Sequence, residues 1–336
     1  GERRRGVRTA AAGRGAGAMG LCLVRPIKLE PSLEGSGVVA GKTVRWASNA
    51  ARGRRPYMED TVLTKFGKPD GRLQDTFLAA VFDGHGGARV AEFVRDKFID
   101  FVEQTLAEHA AAKDLEAELL ESTIKDAFMD LDDKIGTLPS VMVRAAPLLP
   151  CMGKPIEYLK EIDGIGSTAT TVLVLPDAYV FANCGDSRTI LIRDGHVAFE
   201  TTDHTPQDVA ETARIEQAGG IVEANRVEGI LGVARSFGDH RFKANESLPA
   251  ELQMVSAAPD VTTFDRRKGD QFLVLASDGL WGVMDNQFAA SFVLQQIIEK
   301  KQSLGDCAAA LISFAANKRY SSDNISCVIV DLREAA

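Results

Sequence analysis

The chain has five cysteines, Cys22, Cys151, Cys184, Cys307 and Cys327, and none belongs to a Cys-x-x-Cys pair. An odd, scattered set supplies neither a disulfide framework nor a zinc site, and it fits a reducing, intracellular compartment, cytoplasmic or nuclear. His109, His196, His204 and His240 show no ligand spacing. No stretch approaches 18 apolar residues, so no transmembrane helix is expected. Positive charge is short as well: 39 Lys and Arg face 47 Asp and Glu, a formal net charge of -8. Binders of nucleic-acid backbones ordinarily carry a basic face, so nucleic acid is not an expected partner. No fixed-period repeat is present. What remains is 336 residues with 45% hydrophobic and 26% charged content, enough for one large layered domain with a sizeable core.

Residues 1–20 carry five arginines against one glutamate and no apolar periodicity, which predicts a disordered basic leader. Met19-Gly20-Leu21-Cys22 has the look of a natural start. It makes Gly20 a candidate for myristoylation and Cys22 for palmitoylation, with Val24 where the acylation pattern wants Ser or Thr. We therefore assign 1–40 to a leader and N-terminal segment, and 41–333 to a single domain.

Within that domain the pattern predicts strands over 42–48 and 61–66, a turn at Pro69-Asp70-Gly71-Arg72, and a buried strand ending at Val81-Phe82. Helical spacing of Leu115, Leu119, Ile124, Phe128 and Leu131 marks the second of two helices, over about 88–110 and 113–135. Residues 136–163, punctuated by Pro139, Pro147, Pro150 and Pro155, predict an insert without regular core elements. Strands follow over 168–175, 178–183, 189–192 and 197–201, with Asp194-Gly195 as a hairpin turn. A helix over 208–218 ends at Gly219-Gly220, and residues 221–258 read as an irregular surface flap, part of a flap region over about 203–258. A strand over 271–276, helices near 285–300 and 305–318, and a strand over 324–331 close the chain. Antiparallel hairpins combined with two helix pairs predict an α+β fold, a central antiparallel β-sandwich flanked by helices on both sides.

The chemistry gathers around Val81-Phe82-Asp83-Gly84-His85-Gly86-Gly87. An apolar strand that stops at an acid, turns through glycine and restarts as a helix places a carboxylate at a strand end beside a helix N-terminus. Further acids recur in the same setting: Glu59-Asp60, Asp186 in Asn183-Cys184-Gly185-Asp186-Ser187-Arg188, Asp278 in Ser277-Asp278-Gly279-Leu280-Trp281, and Asp323-Asn324. Converging carboxylates repel unless cations neutralise them. All-oxygen donors without a Cys or His cluster select hard ions such as Mg²⁺ or Mn²⁺. By residue type alone, Arg54 and Arg55 read as surface charges, Ser167 and Thr168 as packing residues, Cys184 as a small buried residue, and Asp203 and Asp239 as shaping the flap.

Taken together and in order, these fragments resemble the signature of the metal-dependent protein phosphatases of the type 2C family, which act on phosphoserine and phosphothreonine. Arg55…Met58-Glu59-Asp60, Gly166-Ser167-Thr168-Ala169, Asp203-His204-Thr205-Pro206 and the Ala-Arg-Ser-Phe-Gly-Asp run ending at Asp239 complete the set, over about residues 42–332. The resemblance implies a four-layer αββα domain with two Mn²⁺ or Mg²⁺ ions at one end of the sandwich, and direct in-line attack of an activated water with no phospho-enzyme. It implies that Asp83 bridges both ions and that the Gly84 carbonyl and Glu59 serve one of them. Asp278 and Asp323 hold the other, Asp60 orients the water, Arg55 binds phosphate and His85 is the general acid. The family's third, weaker metal uses the counterparts of Asp186 and Asp278 together with an acid where this chain has Gly282, so its occupancy stays open. Two rival readings stand beside this one: a catalytically dead member acting as a regulatory binding module, and a hydrolase of small phosphorylated molecules. The expected partners are phosphorylated proteins, and a monomer is the default.

Overall fold

The computed structural model describes residues 27–68, 71–109, 117–145, 156–160 and 162–333. The basic leader, the acylation candidates Gly20 and Cys22, and Pro69-Asp70 of the first turn lie outside the described residues. Strand β1 (Leu33–Val39) pairs antiparallel with β2 (Lys42–Ala51) along its whole length. Strand pairing thus extends before residue 41, into the segment assigned to the N-terminal leader region. β1 escaped notice because its cover comes from neighbours: a Cβ on Gly35 or Gly37 would strike the rings of Trp46 or Phe66.

β3 (Thr61–Phe66) and β4 (Phe77–Phe82) form a hairpin with Phe66 opposite Phe77. The short β5 (Gly84–His85) leads into α1 (Arg89–His109) and then α2 (Ala117–Gly136). The insert expected to lack regular structure contains a hairpin, β6 (Val141–Ala145) with β7 (Ile156–Lys160). In the sequence its prolines at 147, 150 and 155 come after β6 and before β7, outside the described residues. β8 (Gly166–Ser167), β9 (Ala169–Val174), β10 (Ala178–Cys184), β11 (Arg188–Arg193) and β12 (His196–Glu200) follow. Asp194 and Gly195, both at positive φ, make the two-residue turn between the last two.

α3 (Val209–Gln217) starts at Asp208, whose carboxylate accepts from the amides of Ala210 and Glu211. Then come β13 (Val222–Glu223), β14 (Arg226–Val227), β15 (Phe237–Gly238), β16 (Asp260–Asp265) and β17 (Asp270–Ala276). The chain finishes with α4 (Asp278–Trp281), α5 (Asn286–Leu294), α6 (Leu304–Asn317) and β18 (Ile325–Asp331). The flap is not merely irregular surface. Ile215, Val227, Leu231, Val233, Ala234, Phe242 and Val255 bury one another in a small core of their own.

Two sheets carry the architecture, one ordered β1-β2-β18-β17-β11-β12 and the other β16-β10-β9-β4-β3. Strand β4 shows why its sequence is apolar throughout rather than alternating. Phe77, Ala79 and Val81 face the opposing sheet, while Leu78, Ala80 and Phe82 face α1 and α2. On the other side Ile325, Cys327 and Ile329 of β18 pack under α5 and α6. Helices thus cover both outer faces, giving the expected αββα layers.

Phe128 of α2 lies 5.3 Å from Phe98 of α1 and 4.9 Å from Phe237 of β15, measured between ring centroids, and is fully buried. Truncating it opens a cavity between a helix layer and the flap. Phe128→Ala is expected to cost about 3–5 kcal/mol, read as a lower urea midpoint; a loss under about 1 kcal/mol would mean the site collapses around the gap.

Candidate active site

Strand register, not sequence proximity, brings the acids together. β4 pairs with β3 so that Phe82 faces Thr61, which puts Asp83 beside Asp60 at the sheet end. Cys184 at the end of β10 faces Ala169 at the start of β9, and Asp186 follows two residues later. In the second sheet Ala276 faces Cys327, so Asp278 and Asp323 leave adjacent strands at that same end. Antiparallel pairing makes strand starts and strand ends neighbours, and five acids from distant parts of the chain meet in one place.

Their environment is crowded and negative. Burial, with the charges of Asp60, Asp278, Asp186 and Asp323 around it, holds the Asp83 carboxyl well above the usual carboxylate range. Burial and the charge of Asp278 push Asp60 up to about 7. Burial, then Asp278 and Asp203, push Asp186 up to about 8, and burial with Asp323 raises Asp278. Asp60 is 6% exposed; its Oδ2 accepts from the Ser277 hydroxyl at 2.9 Å, while its Oδ1 has no partner. A buried carboxylate oxygen left unpaired is costly unless something positive can reach it.

The remaining expected residues stand around the same space. Arg55, Glu59, Asp83, Gly84, His85, Asp186, Asp278 and Asp323 line a cavity of about 370 Å³, and Asp60 sits behind its wall. Arg55 Nη2 lies 2.5 Å from Asp323 Oδ2, so the expected phosphate binder and an expected metal ligand face each other directly. Gly84 is required sterically: a Cβ there would come within 2.4 Å of the Glu59 carbonyl oxygen. Asn324 ties the Arg55–Asp60 loop down, its Oδ1 accepting from the Glu59 amide at 2.8 Å and its Nδ2 donating to the Arg52 and Tyr57 carbonyls. Thr168 is more than packing, since its hydroxyl accepts from the Asp83 amide and bonds Ser187.

Asp239 corrects our reading of it as a flap-shaping residue. Its Oδ2 lies 2.5 Å from His85 Nε2, inside the wall of the cavity. Burial alone lowers the His85 pKa, but the adjacent Asp239 charge outweighs it and the pKa rises; in return His85 keeps Asp239 below its ordinary value against the effect of burial. Arg226 and Arg241, which we had not singled out, add positive charge to the rim. Nothing in an isolated Arg marks it for this place; only the return of the flap over the sheet end does.

Among the described residues no three His, Cys, Asp or Glu side chains form a ready metal cage. The donor set nonetheless fits hard divalent cations. It is all oxygen, it contains the unpaired Asp60 Oδ1, and its carboxyls are raised by burial and by facing one another, both of which a cation offsets.

Residues 44–325 match the family described as Protein phosphatase 2C. The chain belongs to the protein phosphatase 2C family. Human protein phosphatase 1B is 32% identical over 296 residues, covering 87% of this chain and 58% of that protein. Human probable protein phosphatase 1N is 34% identical over 294 residues, covering 88% of this chain and 62% of that protein. This 2C-family chain thus spans about six-tenths of the length of those two relatives. Its fold is shared with a phosphatase from a pathogenic strain of Toxoplasma gondii, at a TM-score of 0.69 and 24% identity over 92% of this chain and 97% of that one. Among the described residues no helix is long and apolar enough to cross a membrane.

A cation that binds only the folded 2C-family domain stabilises it by mass action, about 2.7 kcal/mol at 100 times its Kd. Saturating Mn²⁺ or Mg²⁺ is therefore expected to raise Tm by several degrees over EDTA. Asp278→Asn is expected to raise Tm in EDTA, because it removes one repelling charge, and to shrink the cation-induced rise. Equal shifts in both proteins would place the cation elsewhere.

Proposed function

We propose that this protein is a Mg²⁺/Mn²⁺-dependent protein serine/threonine phosphatase that hydrolyses phosphoserine and phosphothreonine directly. The observation that carries the reading is the single open cavity shared by carboxylates, Arg55 and His85. Asp83, the Gly84 carbonyl and Glu59 would hold one ion, and Asp278 and Asp323 a second, with Asp83 common to both. When bound, the two ions supply the positive charge that makes water a nucleophile near neutral pH. Asp186 faces the same cavity, but Gly282 caps α4 where a further carboxylate would complete a third position, so we assign two ions per chain.

The chain's own residues account for the rest. Arg55 is half exposed at the cavity, and its planar fork suits two phosphate oxygens, for which it exchanges its bond to Asp323. Asp60, held by Ser277, would orient the attacking water. His85 would give a proton to the departing serine or threonine oxygen. The cavity is open and its rim carries Arg226 and Arg241, which favours a phosphorylated protein segment over a small enclosed metabolite. Phosphoproteins are thus the partners we assign, and a monomer in the cytoplasm or nucleus is the working assembly.

Hydrolysis of a phosphothreonine peptide by the purified protein tests this. Phosphate release is expected with Mn²⁺, to vanish with EDTA, and to fall sharply in Asp278→Asn. His85→Gln is expected to lower kcat by about 10²–10⁴-fold, and Arg55→Ala to raise KM more than it lowers kcat. A folded protein that binds Mn²⁺ yet releases no phosphate from any phosphopeptide would instead point to a regulatory binding module.

A further inference from the structure

Several features converge on one side-chain pair. The short strands β5, β8 and β15 form a separate three-stranded sheet in the order β15-β8-β5, with His85 opposite Gly166 and Gly166 opposite Gly238. Gly166 therefore lies between the strand that carries His85 and the strand that leads to Asp239. A Cβ on Gly166 would come within 2.0 Å of Asp239 Oδ2 and 2.4 Å of His85 Nε2, so only glycine lets the two side chains meet across it. Gly238 has φ +73, and a Cβ there would strike the Ile165 carbonyl. Asp239 itself sits in the left-handed region at φ 53, a conformation that costs energy in a non-glycine residue. It is held there at 1% exposure by its amide bond to the Ile165 carbonyl and by the Ser236 hydroxyl, which donates to Oδ2 at 2.7 Å. Behind it Asp132 of α2 accepts from the Gly238 amide at 2.7 Å and pairs with Lys243 at 2.7 Å. Two glycines, a strained aspartate and a buried ion pair thus support a single 2.5 Å contact.

We propose that Asp239 is a positioning residue for His85: it captures Nε2 and so commits Nδ1 as the nitrogen that protonates the leaving group. This rests on the reading of His85 as general acid. During turnover the Nδ1 proton passes to the serine or threonine oxygen as that oxygen's bond to phosphorus breaks. The ring ends neutral with Nε2–H still donated to Asp239, and the proton lost by the attacking water restores the imidazolium through solvent. An aspartate in this place fixes both tautomer and ring orientation, as a carboxylate does for a histidine in other acid–base pairs.

Leaving-group dependence tests it. p-Nitrophenolate leaves without a proton, whereas a threonine alkoxide needs one. Asp239→Asn and the milder Ser236→Ala are compared with wild type and His85→Gln on a phosphothreonine peptide and on p-nitrophenyl phosphate. The expected result is that Asp239→Asn loses about 10–100-fold more kcat on the peptide than on p-nitrophenyl phosphate, with Ser236→Ala showing the same bias at smaller size. In ¹⁵N spectra of histidine-labelled, metal-free protein, neutral His85 is expected to carry its proton on Nε2 in wild type and to become a mixture in Asp239→Asn. Equal losses on both substrates in Asp239→Asn and Ser236→Ala, with the bias present in His85→Gln, would overturn the positioning role and leave the general acid standing. An absence of bias in His85→Gln would remove the general acid and this inference with it. If Asp239→Asn does not fold, Ser236→Ala and the wild-type tautomer decide the matter, and a proton on Nδ1 in wild type refutes the proposal.

Discussion

The desolvation and mutual repulsion of carboxylates crowded at one sheet end are the constraint around which this domain is built. Asp60, Asp83, Asp186 and Asp278 are each held above the usual carboxylate range by burial and by neighbouring carboxylates. No sequence optimised for stability alone would place them so. Asp83, Asp186 and Asp278 stay in place because each follows a strand held by apolar side chains on both faces, and Asp60 because β3 is paired with β4. The two-sided burial of β4 is the clearest instance: slipping its register by one residue would exchange two hydrophobic interfaces at once. The rigid sandwich thus holds charges that would otherwise move apart.

Around that centre the chain uses paired charges as fasteners. Arg188 makes a two-pronged bond to Asp203 and rests near the Trp281 ring, tying the turn that carries Asp186 to the element after Asp278. Glu211 of α3 accepts from both Arg214 and Arg235, and Arg235 also reaches Asp260. These bonds pin the flap to the edge strand of one sheet. Their worth lies in geometry more than in stability, since partly buried ion pairs lose much of their attraction to desolvation.

Much of this was legible beforehand. The acids of the site could be recognised because each interrupts an apolar run at a glycine or polar turn, and the layered fold followed from hairpins flanked by helix pairs. Three things were hidden for different reasons. β1 was hidden because Gly35 and Gly37 borrow their cover from Trp46 and Phe66, leaving no alternation to read. The β6–β7 hairpin was masked by prolines that come between its strands in the sequence. The partnership of Asp239 with His85 was hidden because it spans 154 positions and is arranged by two-residue strands too short to leave a pattern.

The flap, with its small separate core around Val227, Leu231 and Phe242, has a consequence for how the protein comes apart. A unit with a core of its own has its own local free energy of opening, here raised by the contacts of Phe237 with Phe128 and of Lys243 with Asp132 that tie it to the helix layer. Amides in β13 and β14 would then exchange with solvent long before those of β9 or β17. Since the flap supplies Arg226 to the cavity lining, such an opening would strip positive charge from the rim while leaving the strand-end carboxylates in place.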